Sequence, residues 1–116
     1  MQIKFYVSIC LIGLSSSFSL HAASFSCNQA MQPDEKTICQ VRHLNDADVK
    51  MATTYALVLH ALPMGGREQQ KSVQAQWLKQ RHTCGKQQRC LTQLYQQRQQ
   101  QLDDIVQSRI LSQGPF

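Results

Sequence analysis

An all-α fold, a small disulfide-bridged helical hairpin or bundle of about three to four helices, is predicted by three observations. Apolar residues recur at spacings of three and four, with no segment at the strand spacing of two. Proline and glycine fall between those runs and punctuate them. Four cysteines remain, at positions 27, 39, 84 and 90, once an N-terminal leader is set aside.

The leader is read over residues 1–23. Lys4 supplies a positive start, Phe5 to Leu14 is an almost unbroken apolar run, and His21-Ala22-Ala23 offers small residues for cleavage after Ala22 or Ala23. The run is too short to span a bilayer, which needs about 20 apolar residues. A secretory signal peptide is therefore expected, with no membrane anchor after its removal. Cys10 leaves with it, and so does Lys4, so residues 24–116 carry 11 Lys+Arg against 7 Asp+Glu, a charge of +4. A chain of this size is a single domain with a thin stability margin. Export to a periplasmic or secreted location favours disulfides over free thiolates or a zinc site. Four cysteines allow three connectivities. Local spacing favours Cys27–Cys39 and Cys84–Cys90, because each pair is brought together by one helix or one turn.

The elements follow in order. Residues 24–32 are irregular. Pro33 is suited to the first position of a short helix reaching about Val41, with Asp34 and Glu35 at its positive end. Asn45 reads as the N-cap of a second helix, with Asp48 three residues on in the manner of a capping box. Ala52, Tyr55, Leu59 and Leu62 form its apolar stripe, and Pro63-Met64-Gly65-Gly66 ends it. A third helix is expected from about Arg67 to Thr83, thin in apolar residues, with Gly85 as its C-cap. A fourth runs from about Gln88 to Ser112, with Leu91, Tyr95, Arg98, Leu102, Ile105 and Arg109 on one stripe, and Gly114-Pro115 stops it. The many glutamines read as solvated helix faces, since Gln is an adequate helix former.

The chain turns on the stretch Trp77 to Cys90. Trp77, Arg81 and Cys84 share one helix face, and Cys84 and Cys90 bracket a corner at Gly85. Arg81 and Arg98 lie on faces that also carry Trp77 and Tyr95. That placement predicts that each guanidinium pairs with a buried acid and stacks on a ring, with Asp48 and Glu35 as the acids on helical faces. The rival reading makes the same polar groups a recognition site.

No catalytic constellation stands out. His43, His60 and His82 form no metal-ligand pair, and there is no phosphate-binding glycine loop and no nucleophile elbow. His82 next to a bridged Cys84 has no thiol to activate. No enzyme activity, cofactor or metal is expected. The basic charges are scattered without interleaved aromatics, which argues against nucleic acid. An anionic envelope surface suits the charge better.

Taken in order, several motifs resemble the lysozyme inhibitor LprI-like N-terminal domain family. They are Cys27; Glu35-Lys36-Thr37-Ile38-Cys39; Asp48 with Tyr55; Trp77-Leu78-Lys79-Gln80-Arg81-His82-Thr83-Cys84; and Cys90 with Tyr95 and Arg98. The resemblance spans residues 24–116. It implies an exported, helical, cysteine-bridged domain in which Glu35, Asp48, Tyr55, Trp77, Arg81, Tyr95 and Arg98 serve structure or recognition, and it agrees with both local pairings. It also makes inhibition of a lysozyme-like muramidase the activity to consider, beside binding of another envelope protein. A structural or stress-tolerance role in the cell envelope, with no discrete ligand, is the alternative. An inhibitory helical bundle must insert a corner, because it has no extended strand to donate. Two corners place a base beside glycine: Pro63 to Arg67, and Gly85 to Arg89 with Lys86 and Arg89. The second is favoured, because a disulfide would preorganise it.

Overall fold

The computed structural model describes residues 23–113; the leader expected over residues 1–23, apart from Ala23, and the Gly114-Pro115 stop lie outside them. Among the described residues there are four α-helices and no strand: α1 (Pro33–Gln40), α2 (Arg42–Ala61), α3 (Met64–Cys84) and α4 (Gln88–Ile105). A 3-10 turn, Cys27–Gln29, precedes them, and a π turn, Val106–Ile110, and a 3-10 turn, Leu111–Gln113, extend α4. None of these helices is long and apolar enough to cross a membrane. The small disulfide-bridged all-α bundle is thus the observed architecture, with bridges Cys27–Cys39 and Cys84–Cys90.

Helix α1 starts as its sequence dictates. Pro33 needs no partner for a missing N–H, and Glu35 Oε2 accepts the backbone N–H groups of Met31 (3.3 Å) and Gln32 (3.4 Å). A single extended residue, Val41, separates α1 from α2, and its carbonyl accepts from the N–H groups of Leu44 and Asn45. The second helix therefore begins at Arg42, three residues before the expected Asn45 cap. Asn45 and Asp48 are buried inside it and cap nothing. The stripe is partly shifted from the expected one: Asp48 and Leu62 are buried as expected, with Tyr55 half-buried, but Leu44, Asn45, Met51 and Val58 join them. Ala52 and Leu59 flank it. The phase differs because α2 packs against both α1 and α4 and turns the line between the two contacts inward.

The α2–α3 connection is shorter than the Pro-Met-Gly-Gly sequence suggests. Pro63 is the N-cap of α3, and Gly65 and Gly66 are helical. Arg67 explains how so tight a corner holds. Its Nε donates to Leu59 O (2.8 Å) and its Nη2 to Leu62 O (3.4 Å), satisfying carbonyls at the end of α2. The candidate corner Pro63–Arg67 is thus a helix junction, and its base is spent on backbone oxygens.

At the other corner Gly85 has φ +56°, a backbone state that side chains disfavour, and its N–H donates to His82 O (3.2 Å). The three long helices alternate in direction, so α2 and α4 run parallel, with His43 beside Thr92 at one end and Thr54 beside Gln99 further along. The core comprises Ile38, Leu44, Met51, Val58, Leu62, Trp77, Cys84, Leu91, Tyr95 and Leu102. The α4 stripe matches expectation over Leu91, Tyr95, Arg98 and Leu102.

Candidate functional site

Helix α3 has too few apolar residues to bury a conventional stripe. Its inward face is Gln74, Trp77, Arg81 and Cys84. Two guanidiniums consequently enter the core, and the core is built around satisfying them.

Arg81 is 3% exposed. Its Nε donates to Asp34 Oδ2 at 2.8 Å, while Nη2 lies 3.8 Å from Glu35 Oε1 and Nη1 lies 3.9 Å from Asp48 Oδ1. Phe25 and Trp77 present ring faces, 5.3 and 5.8 Å from the guanidinium carbon. Pairing with a buried acid over an aromatic ring is as expected, but the closest acid is Asp34. Glu35 mainly caps α1, and Asp48 accepts from the Tyr95 hydroxyl at 2.7 Å. Proline at Pro33 sets the first turn of α1 so that Asp34 points at α3. His82 Nδ1 sits 3.0 Å from the second Asp34 oxygen.

Burial alone would raise the Asp34 pKa, yet the hydrogen bonds from His82 and Arg81 and the Arg81 charge outweigh it and hold the carboxyl below its usual 3.8. A depressed carboxyl stabilises the fold fully above its unfolded value and loses that contribution as pH falls through the folded one. Stability should therefore fall with pH only below about 4 on account of Asp34. Asp34→Asn should cost about 3 kcal/mol at pH 7 and flatten the decline below pH 4; melting curves from pH 2 to 7 check both, and an unchanged acid slope contradicts the assignment.

Burial, and then the Asp48 charge, push the Tyr95 hydroxyl far above its ordinary 10.0, so it remains a donor. Trp77 packs edge-on against Tyr95, centroids 5.0 Å apart at 70°, and its Nε1 donates to Leu94 O at 3.1 Å.

Arg98 departs from expectation. It is 1% exposed, and among the described residues no carboxylate lies within 4.0 Å of it. Three glutamine oxygens receive it: Gln74 Oε1 at 2.9 Å, Gln70 Oε1 at 3.3 Å and Gln101 Oε1 at 3.3 Å. Tyr55 lies 5.9 Å beneath the guanidinium. Burial, partly offset by Tyr55, holds the Arg98 pKa below its ordinary value. Gln74, buried and bonded also to Met51 Sδ at 3.4 Å, is the residue that sequence reasoning missed. Its spacing from Trp77 and Arg81 placed it on the inward face, but glutamine carries no sign of burial. The glutamines are thus not all solvated.

These polar groups are satisfied by one another inside the bundle. At one end of the bundle Lys86, on the α3–α4 corner, and Met31, Pro33, Lys36, Thr37 and Gln40 line a hollow of about 400 Å³. Met31 is 81% exposed. Lys36, Lys86 and Arg89 are exposed, and no carboxylate of the described residues lies within 4.0 Å of them. The Cys84–Cys90 bridge braces the corner, and the Cys27–Cys39 bridge ties the leading arm to α1 at the same end. Lys86 and Arg89 were expected at an exposed corner. Their company, Lys36 and Met31, comes from the way α1 folds back beside it.

A second hollow, about 480 Å³, lies between α2 and α4 and is lined by His43, Ala47, Lys50, Gln99 and Asp103 among others. Its charges are of mixed sign. Gln99 donates there to Thr54 (3.0 Å) and Asp103 (2.8 Å), and its buried Oε1 has no partner. Among the described residues no group of three or more His, Cys, Asp or Glu is placed to hold a metal. Neither a protein-family model, nor a curated protein, nor a solved structure shows a match to this chain.

Proposed function

We propose that the chain is an exported, non-enzymatic binding module whose cationic end docks on an acidic partner surface. The carrying observation is the grouping of Lys36 and Lys86 around one hollow beside an exposed methionine, on a corner braced by a disulfide. Cations gathered around one concave surface give it a positive potential that favours an acidic partner. The resemblance to the lysozyme inhibitor LprI-like domain makes a muramidase the partner to test first. A muramidase cleft depends on a carboxylate pair, and a rigid cationic corner complements it locally. The disulfides support export, because such bonds persist in oxidising compartments.

An inhibitor of this kind forms a stoichiometric complex and slows cell-wall lysis at comparable molarity. Lys86→Glu with Arg89→Glu should weaken inhibition at least tenfold, about 1.4 kcal/mol, with the melting temperature unchanged. Unchanged inhibition removes the corner. If the wild-type protein inhibits no muramidase and captures no envelope protein, the binding reading fails, and altered envelope integrity on loss of the protein then favours the structural role.

A further inference from the structure

The irregular arm before α1 ends in an unusual contact. The backbone nitrogen of Ser24 donates to Asp48 Oδ2 at 2.6 Å, from an exposed residue to a carboxylate with 0% exposure. Asp48 is short of positive charge. Arg81 is committed to Asp34 at 2.8 Å and reaches Asp48 only at 3.9 Å. The other close donor to Asp48 is the neutral Tyr95 hydroxyl at 2.7 Å. Arg98 bonds only to glutamine oxygens. The groups facing Asp48 are thus Arg81 from α3, Tyr95 from α4 and, across Arg81, Asp34 and Glu35 from α1. A buried carboxylate so placed calls for a cation.

We propose that Ser24 is the first residue of the mature chain and that its α-ammonium completes an ion pair with Asp48. Hydrolysis of the Ala23–Ser24 bond by a leader peptidase consumes one water. The acyl carbon of Ala23 leaves as a carboxylate, and the Ser24 nitrogen becomes an amine that takes a proton. An amide dipole facing Asp48 is thereby replaced by a full positive charge at the same atom. Charge-assisted contacts are roughly twice as strong as neutral ones. Processing and folding are then coupled: removal of the leader supplies the cation that the core lacks. The inference rests on the export reading.

Two measurements test it. The first compares chains beginning at Ser24 with a free amine, at Ser24 with an acetylated amine, and at Ala23. The free Ser24 amine should melt about 5–10 °C above the other two at pH 7. An ammonium whose pKa is raised by its partner stabilises fully below its unfolded value, about 8, and that gain disappears as pH rises through the folded value. The gap should close accordingly in alkali, and it should shrink in Asp48→Asn if that variant folds. Equal melting of the free and acetylated chains overturns the proposal, whatever Asp48→Asn does. The second is the intact mass of the protein recovered from the exported fraction. A start at Ser24 is expected, a start at Ala23 overturns this inference alone, and a chain that retains its leader and stays inside the cell overturns the export reading with it.

Discussion

Arg81→Ala lowers the melting temperature of the domain by about 15–30 °C, the largest effect expected of any single substitution. Removing one partner of a buried pair costs about 3–5 kcal/mol, because the remaining charge is left in a poorly solvating interior. In a domain of this size each kcal/mol moves the midpoint by roughly 4–8 °C. Here the abandoned partner is Asp34, at 0% exposure, with only His82 left to bond it. The loss also removes a cation from between Phe25 and Trp77, so the leading arm loosens with the core. Arg81→Lys keeps the charge but not the planar fork that reaches three carboxylates, and should recover about half of the loss. Thermal melts by circular dichroism decide it. A shift under about 5 °C, with loss of a binding partner, would make Arg81 a recognition residue instead.

Reducing both disulfides brings the domain to the edge of unfolding at room temperature. The bridges close loops of sequence separation 12 and 6. The chain-entropy model assigns each about 2–3 kcal/mol, so their sum approaches the whole stability of a small domain, about 5–10 kcal/mol. Cys27→Ala with Cys39→Ala should cost slightly more than Cys84→Ala with Cys90→Ala, since doubling a loop adds about 0.6 kcal/mol. Urea titrations with and without reductant measure the sum, and the paired variants measure the parts. A midpoint unmoved by reductant would contradict the assigned role. The proposed docking gives the second pair a further role. Its loss should loosen the corner of Lys86 and Arg89 and weaken docking beyond the effect on stability.

The two predictions divide along the line between local and long-range information. Four helices, the Gly85 corner and both cysteine pairings were legible in the order of residues, because each depends on neighbours within a few turns. Proline at Pro33, glycine at Gly85 and cysteines separated by one helix or one turn act before any tertiary contact forms. The inward face of α4 was legible for the same reason: an unbroken stripe from Leu91 to Leu102 has one way to be buried.

The partners of the buried charges were not. Asp34, Glu35 and Asp48 are all acids on helices, and only the packing of α1 across α3 selects Asp34 for the close contact with Arg81. Gln74 shares a helix face with Trp77 and Arg81, but its residue type does not distinguish it from the exposed glutamines. It is buried because α3 is too polar to offer anything larger beside Trp77, and because Arg98 requires an oxygen there. The start of α2 was misplaced by three residues for a related reason. Asn45 has the chemistry of a cap, but Asn45 is drawn into the interior, and the extended Val41 alone is enough to break α1 from α2. The same docking of α1 brings Lys36 and Met31 to the Lys86 corner, and the leading arm's return to α2 sets Ser24 against Asp48. Spacing along one chain determines which residues share a helix face. Only the meeting of helices from distant parts of the sequence decides which faces meet, since that choice minimises unpaired charge and exposed apolar surface over the whole bundle at once.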